Sequence, residues 1–568
     1  MMATTTNDDE SSEKRGLLLL TTISTPRWGV TDCLNVTVER TALSSCRILH
    51  FLMMRGCSKG RAFCFSVFFA FLCMCHQSAG EVQRPMSTLF LLVDDGGFQL
   101  GVYGDNVTVT PNVDGLGRRR GAVVFDHAYT AVSSCSPSRS AILSGLPTHQ
   151  NGMYGLHQYP GNFQSNNDIT SLPNLLNKHN YVTGIIGKYH VGPVENYNFT
   201  YGLGFHGDDC WAGCAPCKSQ SYNQVARNIT NMKNNAREFF SKVGPQDPFF
   251  LYVGFGDTHR CKVNTSIGTF CEYYGSGKND QGVIPDWKPH WFTKEEVVVP
   301  EFLPDNELVR DDLARFYTAV NRMDQGVGLI LKELEDAGRV DDTLIFFFSD
   351  NGIPFPSGKT NLYTTQGQGE PFIMVNPRLD APAARSQEVV SSLDFVPTIL
   401  DAAKIEYPTH AKSGHKPALL TGTSLISSQE DRSKPAFASH QFHSLYCYYP
   451  MRSATTGSHR LVQNLNYNLD FGILEDVYNT PTWSKLMSEG ESGKDTGWIY
   501  DYKTYMKRPE WELYDLIADP LSLHNQASNP AYATVLNQLK ASLNEWRNVT
   551  NDPWYKCNKA ATAHECSI

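Results

Sequence analysis

The fold is set by the stretch Thr88-Leu89-Phe90-Leu91-Leu92-Val93, which is followed at once by Asp94-Asp95-Gly96-Gly97. The continuous apolar run indicates a strand buried on both faces, as in a parallel sheet that helices cover on each side. Three later stretches repeat this pattern of an apolar run that ends in polar residues: 181–186 before Gly187-Lys188-Tyr189-His190, 249–255 before Asp257 and His259, and 344–348 before Ser349-Asp350-Asn351-Gly352. Because ligands bind beyond the carboxyl ends of such strands, the four polar ends predict one site.

Helical patterns lie between these strands. Ser171 is a predicted N-cap, 221–242 contain a second helical pattern, and 307–337 are long enough for one helix or two. The alternation predicts an α/β fold with a mostly parallel sheet between helices over residues 81–430.

The composition of the sequence changes after residue 430. Aromatic and turn residues become frequent, Arg460-Leu461-Val462-Gln463-Asn464-Leu465 indicates a strand of an exposed sheet, and Trp511-Glu512-Leu513-Tyr514-Asp515 precedes a loop. Residues 531–547 have the pattern of an amphipathic helix. Residues 431–568 are therefore predicted to form a smaller α+β domain with an antiparallel sheet.

Composition and the N-terminal region indicate where the protein resides. A net charge of −9 over 568 residues excludes nucleic acid as a main partner. An apolar run at 63–75, basic residues before it and Ser78-Ala79-Gly80 after it predict a signal peptide over 53–80, cleaved near Gly80. The run is too short to span a bilayer, so stable membrane insertion is not expected. Residues 1–52 are interpreted as an extension of the gene model or a disordered segment.

The glycosylation sequons and the cysteines are those expected of a protein that passes through the secretory pathway. Five sequons follow the predicted signal peptide, at Asn106, Asn198, Asn228, Asn264 and Asn548. Two cysteine pairs are spaced to close small loops, Cys261 with Cys271 and Cys557 with Cys566. The cluster Cys210, Cys214 and Cys217, with Cys447 left over, favours disulfides over zinc in an oxidising compartment, although the pairing stays open.

The stretch Ser133-Ser134-Cys135-Ser136-Pro137-Ser138-Arg139 precedes a helical run. Pro137 suits the first turn of a helix, which places Cys135 at the helix N-terminus, where backbone N–H groups and the helix dipole favour an anion. Arg139 lies one turn further on the same side. A lone cysteine is more often structural than catalytic, but the pattern Cys-x-Pro-x-Arg is much more specific.

The predicted strand ends supply ligands for a metal. Asp94, Asp95, Asp350 and Asn351 offer three carboxylates and an amide oxygen, which favour a single Ca²⁺. The pair Asp94-Asp95 alone, or the pair Asp350-Asn351 alone, would be interpreted as a turn. Five basic residues are expected around the same site: Arg139, Lys188, His190, His259 and Lys359, the last on a less constrained loop.

These motifs resemble those of the type I sulfatases. Cys135-Ser136-Pro137-Ser138-Arg139, Gly187-Lys188-Tyr189-His190, Asp257-Thr258-His259 and Ser349-Asp350-Asn351-Gly352 occur in the order found in that family, and the likeness covers nearly everything after residue 86. Further stretches, among them Ile353-Pro354-Phe355-Pro356-Ser357-Gly358 and Tyr449-Pro450-Met451-Arg452-Ser453, resemble the branch that removes N-linked sulfate from terminal glucosamine in heparan sulfate.

The resemblance implies an alkaline-phosphatase-like sulfatase domain and a mechanism. Cys135 would be converted by a formylglycine-generating enzyme to formylglycine, whose hydrate is the nucleophile, with Ca²⁺ on the four oxygen ligands. Arg139 and Lys188 would stabilise and orient the hydrate. His190 would be a further positioning or proton-transfer residue. His259, with Lys359, would protonate the leaving group. The family likeness also implies a lysosomal homodimer.

Three alternatives remain open at this point. A phosphatase or phosphodiesterase of the same superfamily would use Thr or Ser and two zinc ions, which Cys135 disfavours. An O-sulfatase would share the whole site. A glycan-binding protein without catalysis would be favoured by the loss of a site residue, and no such loss is visible.

Overall fold

The computed structural model describes residues 84–158, 161–203, 226–263, 266–278, 281–427 and 433–555. The expected leader and signal peptide, the Cys210–Cys214–Cys217 cluster, the pair Cys557 and Cys566, and the sequon at Asn264 lie outside these residues. Within the described part of the chain, no helix has the length and apolar character needed to cross a membrane.

The central sheet has eight strands. Its order is β10-β2-β9-β8-β1-β5-β3-β4, and every neighbouring pair is parallel except the two pairs that β9 makes. The predicted mostly parallel sheet is therefore confirmed. Its strands are β1 (Ser87–Val93), β2 (Ala122–Tyr129), β3 (Val182–Gly187), β4 (Tyr201–Leu203), β5 (Phe249–Gly254), β8 (Thr343–Ser349), β9 (Phe372–Val375) and β10 (Ala384–Ser391).

Helices cover both faces of this sheet. They are α1 (Pro111–Leu116), α2 (Cys135–Ser144), α3 (Thr148–Asn151), α4 (Leu172–Lys178), α5 (Ile229–Lys242), α6 (Glu307–Asp336), α7 (Thr365–Gln368) and α8 (Phe395–Ala403). On β1, Leu89 and Leu91 belong to the core beneath α5 and α6, whereas Phe90 and Leu92 pack with α2, α4 and α8. Alternate side chains of one strand thus fill two cores, which is why its sequence is apolar at every position.

The helix boundaries refine the sequence predictions. Ser171 caps α4 as expected, since its side chain accepts a hydrogen bond from the Asn174 backbone. The stretch 307–337 forms the single helix α6, capped by Asn306. The second predicted helix begins only at Ile229, because the Asn228 side chain caps it.

Residues after 433 build a second sheet with the order β13-β14-β15-β16, all antiparallel. The predicted strand at 460–465 is β15, but it lies inside this sheet and is largely buried, so the expected exposure was wrong. Residues 511–515, expected only to precede a loop, form β16. The strands are β13 (Ala436–Phe442), β14 (Tyr448–Thr455), β15 (His459–Asn464) and β16 (Trp511–Asp515), and the helices are α9 (Glu475–Tyr478), α10 (Pro481–Glu491), α11 (Tyr502–Met506) and α12 (Ala533–Val549).

Two small hairpins complete the strands, β6 (Cys261–Val263) with β7 (Ser266–Thr269) and β11 (Lys412–Ser413) with β12 (Lys416–Pro417). The predicted Cys261–Cys271 disulfide is present, with a Cα–Cα distance of 5.8 Å. In the described part, Cys447 is a buried free thiol. The domain boundary near residue 430 stays a prediction.

Candidate active site

Strand register brings the polar strand ends to one edge of the central sheet. Val93 of β1 is paired with Ser349 of β8, and Gly254 of β5 lies beside both Leu92 of β1 and Gly187 of β3. The residues that follow these pairs therefore emerge together. This is the physical basis for the convergence that the sequence predicted.

Four oxygen-bearing side chains meet at this edge: Asp94, Asp95, Asp350 and Asn351. All four residues are at most 1 % exposed. The Asn351 amide donates to Asp95 Oδ1 at 2.7 Å, and the Asp95 backbone N–H donates to Asp350 Oδ1 at 3.1 Å. Burial, with the nearby Asp94 charge and despite Arg139, raises the pKa of Asp350 to about 7. Such crowded carboxylates need positive charge beside them.

Two cations supply part of that charge. Arg139 Nε donates to Asp350 Oδ2 at 2.9 Å and its NH2 group donates to Asp94 Oδ1 at 3.0 Å, so its planar fork joins two strand ends. Lys188 Nζ donates to both oxygens of Asp94, at 2.7 and 2.6 Å. Although burial opposes ionisation, Lys188, His259 and Arg139 hold the pKa of Asp94 well below its usual range.

Cys135 is the first residue of α2, as the sequence predicted. Its Sγ lies 3.1 Å from Lys359 Nζ and 3.7 Å from Asp95 Oδ1. Burial raises the pKa of the thiol far above its usual value even though Lys188 and Lys359 are near. An unmodified Cys135 is therefore protonated and a poor nucleophile, because the thiolate is the reactive form.

Lys359 belongs to the same cluster. Its ammonium lies 2.8 Å from Asp95 Oδ1, and its side chain is fully buried. Burial opposes its charge, yet Asp95 and the neighbouring groups raise its pKa well above the usual value, so it stays a cation. The loop that sequence reasoning treated as least constrained therefore places its lysine at the centre of the site.

The predicted histidines occupy different places. His259 Nε2 lies 3.8 Å from Asp95 Oδ2, and the side chain is 21 % exposed, which puts it at the open side of the cluster. Burial, only partly opposed by Asp95, lowers its pKa below the usual value. His190 is buried, and its Nε2 hydrogen-bonds the Gln158 side chain. Burial and the charges of Lys188 and Arg139 lower the pKa of His190, so its imidazole is neutral.

Two further residues lie at the site that are not among the predicted catalytic and metal-binding residues. Asp476 of α9 places Oδ2 3.4 Å from His259 Nε2 and 3.6 Å from Lys359 Nζ. His443, on the turn after β13, lies 2.9 Å from Ser134 Oγ through Nδ1. Asp476 carried no motif signal. His443 directly follows β13, in which Ser439, His440 and Gln441 are buried.

A buried cluster of charged side chains lies next to the site and is hydrogen-bonded to it. Asp257 accepts hydrogen bonds from Arg227 Nε at 2.9 Å and from Arg322 Nε at 2.7 Å. Its backbone carbonyl accepts from the Asp94 N–H at 3.2 Å, and the Thr258 hydroxyl donates to the Asp95 carbonyl at 2.9 Å. The backbones of Asp94 and Asp95 are therefore held by the segment that follows β5.

The donor set fits a hard divalent cation. Ligand atoms of Asp94, Cys135 and Asp350 lie within 4.8 Å of one another, and those of Asp95, Cys135 and His259 do likewise. Among the described residues, the buried Asn351 Oδ1 has no hydrogen-bond partner, which leaves it available as a ligand. Carboxylate and amide oxygens suit Ca²⁺ better than Zn²⁺, which favours nitrogen and sulfur.

A family model described as Sulfatase matches residues 87–405 of this chain. The chain belongs to the sulfatase family, a class of hydrolases. Human N-sulphoglucosamine sulphohydrolase is 45 % identical over 475 residues, which cover 83 % of this chain and 91 % of the human protein. Human N-acetylgalactosamine-6-sulfatase is 27 % identical over 382 residues, or 58 % of this chain and 64 % of that protein.

Solved structures share the fold. A 2-O glycosaminoglycan sulfatase superposes with a TM-score of 0.58 and 17 % identity, covering 85 % of this chain and 96 % of its own. A protein solved with its substrate D-glucosamine-2-N,6-O-disulfate has a TM-score of 0.54 and 20 % identity. The match covers 83 % of this chain and 99 % of that protein's chain. At these identities the likeness concerns the fold, which confirms the expected alkaline-phosphatase-like architecture.

Proposed function

We propose that this protein is a sulfamidase that hydrolyses the N-linked sulfate of terminal N-sulfoglucosamine in heparan sulfate. The observation that carries this proposal is the 45 % identity to human N-sulphoglucosamine sulphohydrolase over 91 % of that enzyme. The cluster around Cys135 also supports the proposal, because it joins the predicted residues by hydrogen bonds and ion pairs: Arg139, Lys188, His259, Lys359, Asp94, Asp95, Asp350 and Asn351.

Two groups outside the twenty ordinary side chains complete the chemistry. Formylglycine derived from Cys135 would supply, as its hydrate, the oxygen nucleophile and the second hydroxyl that later expels sulfate, and Ca²⁺ held by Asp94, Asp95, Asp350 and Asn351 would act as a Lewis acid toward the sulfate oxygens. The high pKa of the buried Cys135 thiol supports the need for this conversion.

The residues of the chain have separate tasks in this proposal. Arg139 and Lys188 hold Asp94 in place and offset negative charge at the buried end of the site. Lys359, 3.1 Å from Cys135 Sγ, orients the atom at position 135. His259, on the open side, donates a proton to the leaving nitrogen. His190 is a positioning residue, and its Nε2 hydrogen-bonds the Gln158 side chain.

The other activities have weaker support. A phosphonate monoester hydrolase shares the fold with a TM-score of 0.51, but at 15 % identity this concerns the fold alone. A phosphatase-type site would need a nitrogen-rich ligand set for zinc, whereas three carboxylates and an amide lie here. An O-sulfatase remains the second candidate, because several relatives carry the name N-acetylgalactosamine-6-sulfatase.

We further propose a lysosomal location, reached through the secretory pathway, with a formylglycine-generating enzyme as maturation partner and a homodimer as the assembly. The resemblance to the human enzyme supports these statements. The Cys261–Cys271 disulfide is consistent with an oxidising compartment.

The test compares sulfate release at acidic pH from N-sulfoglucosamine, glucosamine 6-O-sulfate and an aryl O-sulfate. Protein from a eukaryotic secretory host should release sulfate from the N-sulfate at least tenfold faster than from either O-sulfate. Its Cys135 peptide should carry an aldehyde by mass spectrometry, and Cys135→Ser should fold but lose turnover. Turnover of the O-sulfates with an untouched N-sulfate would refute the substrate assignment, and full activity with an unmodified Cys135 would refute the nucleophile.

A further inference from the structure

Asp476 occupies a position that the sulfatase motifs do not explain. It comes from the short helix α9 in the C-terminal part of the chain. Its Oδ2 atom faces both His259 Nε2, at 3.4 Å, and Lys359 Nζ, at 3.6 Å. Lys359 Nζ also lies 3.1 Å from Cys135 Sγ, so this lysine links the Asp476 carboxylate to the residue that reacts.

Exposure shows which side of the site receives the leaving group. The side chains of Asp95 and Lys359 are 0 % exposed, whereas those of His259 and Asp476 are 21 % and 15 % exposed. The sulfuryl group must reach the buried carboxylate and cation cluster, and the sugar must extend toward solvent. The atom that leaves sulfur therefore lies between these ends, beside His259 and Asp476.

N-sulfates and O-sulfates differ in the charge that develops at that atom. Hydrolysis of R–NH–SO₃⁻ with H₂O gives R–NH₃⁺ and SO₄²⁻: the S–N bond breaks, nitrogen keeps the electron pair, and both protons of the water end on nitrogen, the first through His259. Hydrolysis of R–O–SO₃⁻ gives R–OH, SO₄²⁻ and one released proton. An amine as basic as an α-amino group, with a pKa of about 8, stays cationic in acid, whereas the alcohol is neutral.

We propose, on the basis of the function proposed above, that Asp476 is a specificity-determining residue that favours N-sulfates over O-sulfates. Its carboxylate stabilises the positive charge that forms on the leaving nitrogen and has no such charge to stabilise on a leaving oxygen. Interactions made only as the charge develops accelerate the reaction, so the effect belongs in kcat/KM for N-sulfates alone. A carboxylate that merely neutralised Lys359 would affect both substrate types equally.

The test uses Asp476→Asn, which keeps the shape of the side chain and removes its charge. On N-sulfoglucosamine kcat/KM should fall about 30-fold, equivalent to about 2 kcal/mol since each 1.4 kcal/mol is tenfold. On an aryl O-sulfate it should change less than threefold. Glu475→Gln is the matched control: the neighbouring carboxylate on the same helix contacts the exposed Tyr446 hydroxyl at 2.8 Å, and this variant should change neither activity. An equal loss on both substrates, or no loss on either, would overturn the proposal.

Binding of the amine product gives a second readout that needs no turnover, and its first comparison uses the unsubstituted protein alone. By calorimetry near pH 5, the unsubstituted protein should bind glucosamine at least tenfold more tightly than glucose. Asp476→Glu should keep this preference and Asp476→Asn should lose it. Equal binding of the two sugars by the unsubstituted protein would overturn the role of Asp476. A protein that leaves the N-sulfate untouched yet prefers glucosamine would instead count against the proposed function alone.

Discussion

Replacement of Arg139 by lysine tests whether the guanidinium fork, and not only its charge, organises the site. The side chain is fully buried and bonds Asp350, Asp94, the Tyr252 hydroxyl at 3.1 Å and the Lys188 carbonyl at 3.0 Å. A lysine ammonium places three donors on one atom and cannot reach two strand ends together.

The magnitude follows from the contacts that are lost. At least two hydrogen bonds to charged groups disappear, each contributing about 1.5–3 kcal/mol, and a buried carboxylate loses its partner, which costs about 3–5 kcal/mol. These overlapping contributions give a loss of about 4 kcal/mol in the free energy of unfolding. For a folded unit of roughly 480 residues the unfolding entropy is about 1 kcal/mol per kelvin, so the melting temperature should fall by about 4 °C.

The assay is thermal unfolding together with sulfate release from N-sulfoglucosamine, for which kcat/KM should fall at least 100-fold. Arg385→Lys is the control, because Arg385 pairs with Asp126 at the surface and its side chain is 49 % exposed. That variant should lose less than about 1 kcal/mol and keep its activity. An Arg139→Lys protein that melts within 1 °C of the unsubstituted protein and retains activity within threefold would refute this account of the site.

Two further predictions concern pH and metal. Burial lowers the pKa of His149 to about 3, and both ring nitrogens contact hydroxyls of Ser439 and Thr550. The neutral form therefore stabilises the fold fully above pH 6.5, and about 2 kcal/mol is lost as the pH falls to 5. His149→Gln should shrink the difference in unfolding free energy between pH 7 and 5 by that amount, and an unchanged difference would contradict the burial argument. Elemental analysis should find one Ca²⁺ per chain, and a chelator should lower the melting temperature by about 3 °C, as expected for loss of a ligand at about 100 times its Kd. Asp350→Asn should abolish this shift, whereas two zinc ions per chain would point to a phosphatase.

The strand ends show what could be predicted from sequence. Each central strand is apolar at every position because both faces are buried, so its length and its end are visible in the sequence. Parallel register then forces Asp94 and Asp350 to the same edge. The position of Cys135 could also be predicted from sequence, because Pro137 marks a helix start and Arg139 follows one turn later.

The C-terminal part shows what local patterns could not predict. β15 was expected on an exposed sheet because its sequence mixes apolar and polar residues, but β14 and β16 pair with it on both sides. Its polar residues are buried there, and Gln463, for example, accepts a hydrogen bond from Arg547 at 2.7 Å. The partner that makes burial of a polar residue favourable is distant in the sequence, so periodicity does not reveal it.

The sequence by itself determined the buried strands, their polar ends and the cysteine at the helix start, because continuous apolar runs and helix-start residues are visible locally. Only the tertiary structure decided that Lys359 contacts Cys135, that His190 hydrogen-bonds Gln158, and that Asp476 approaches both His259 and Lys359. The packing of the C-terminal part on the strand ends places Asp476 beside His259. A single carboxylate carries no sequence signal for such a position, since its role depends on the charges that the fold brings next to it.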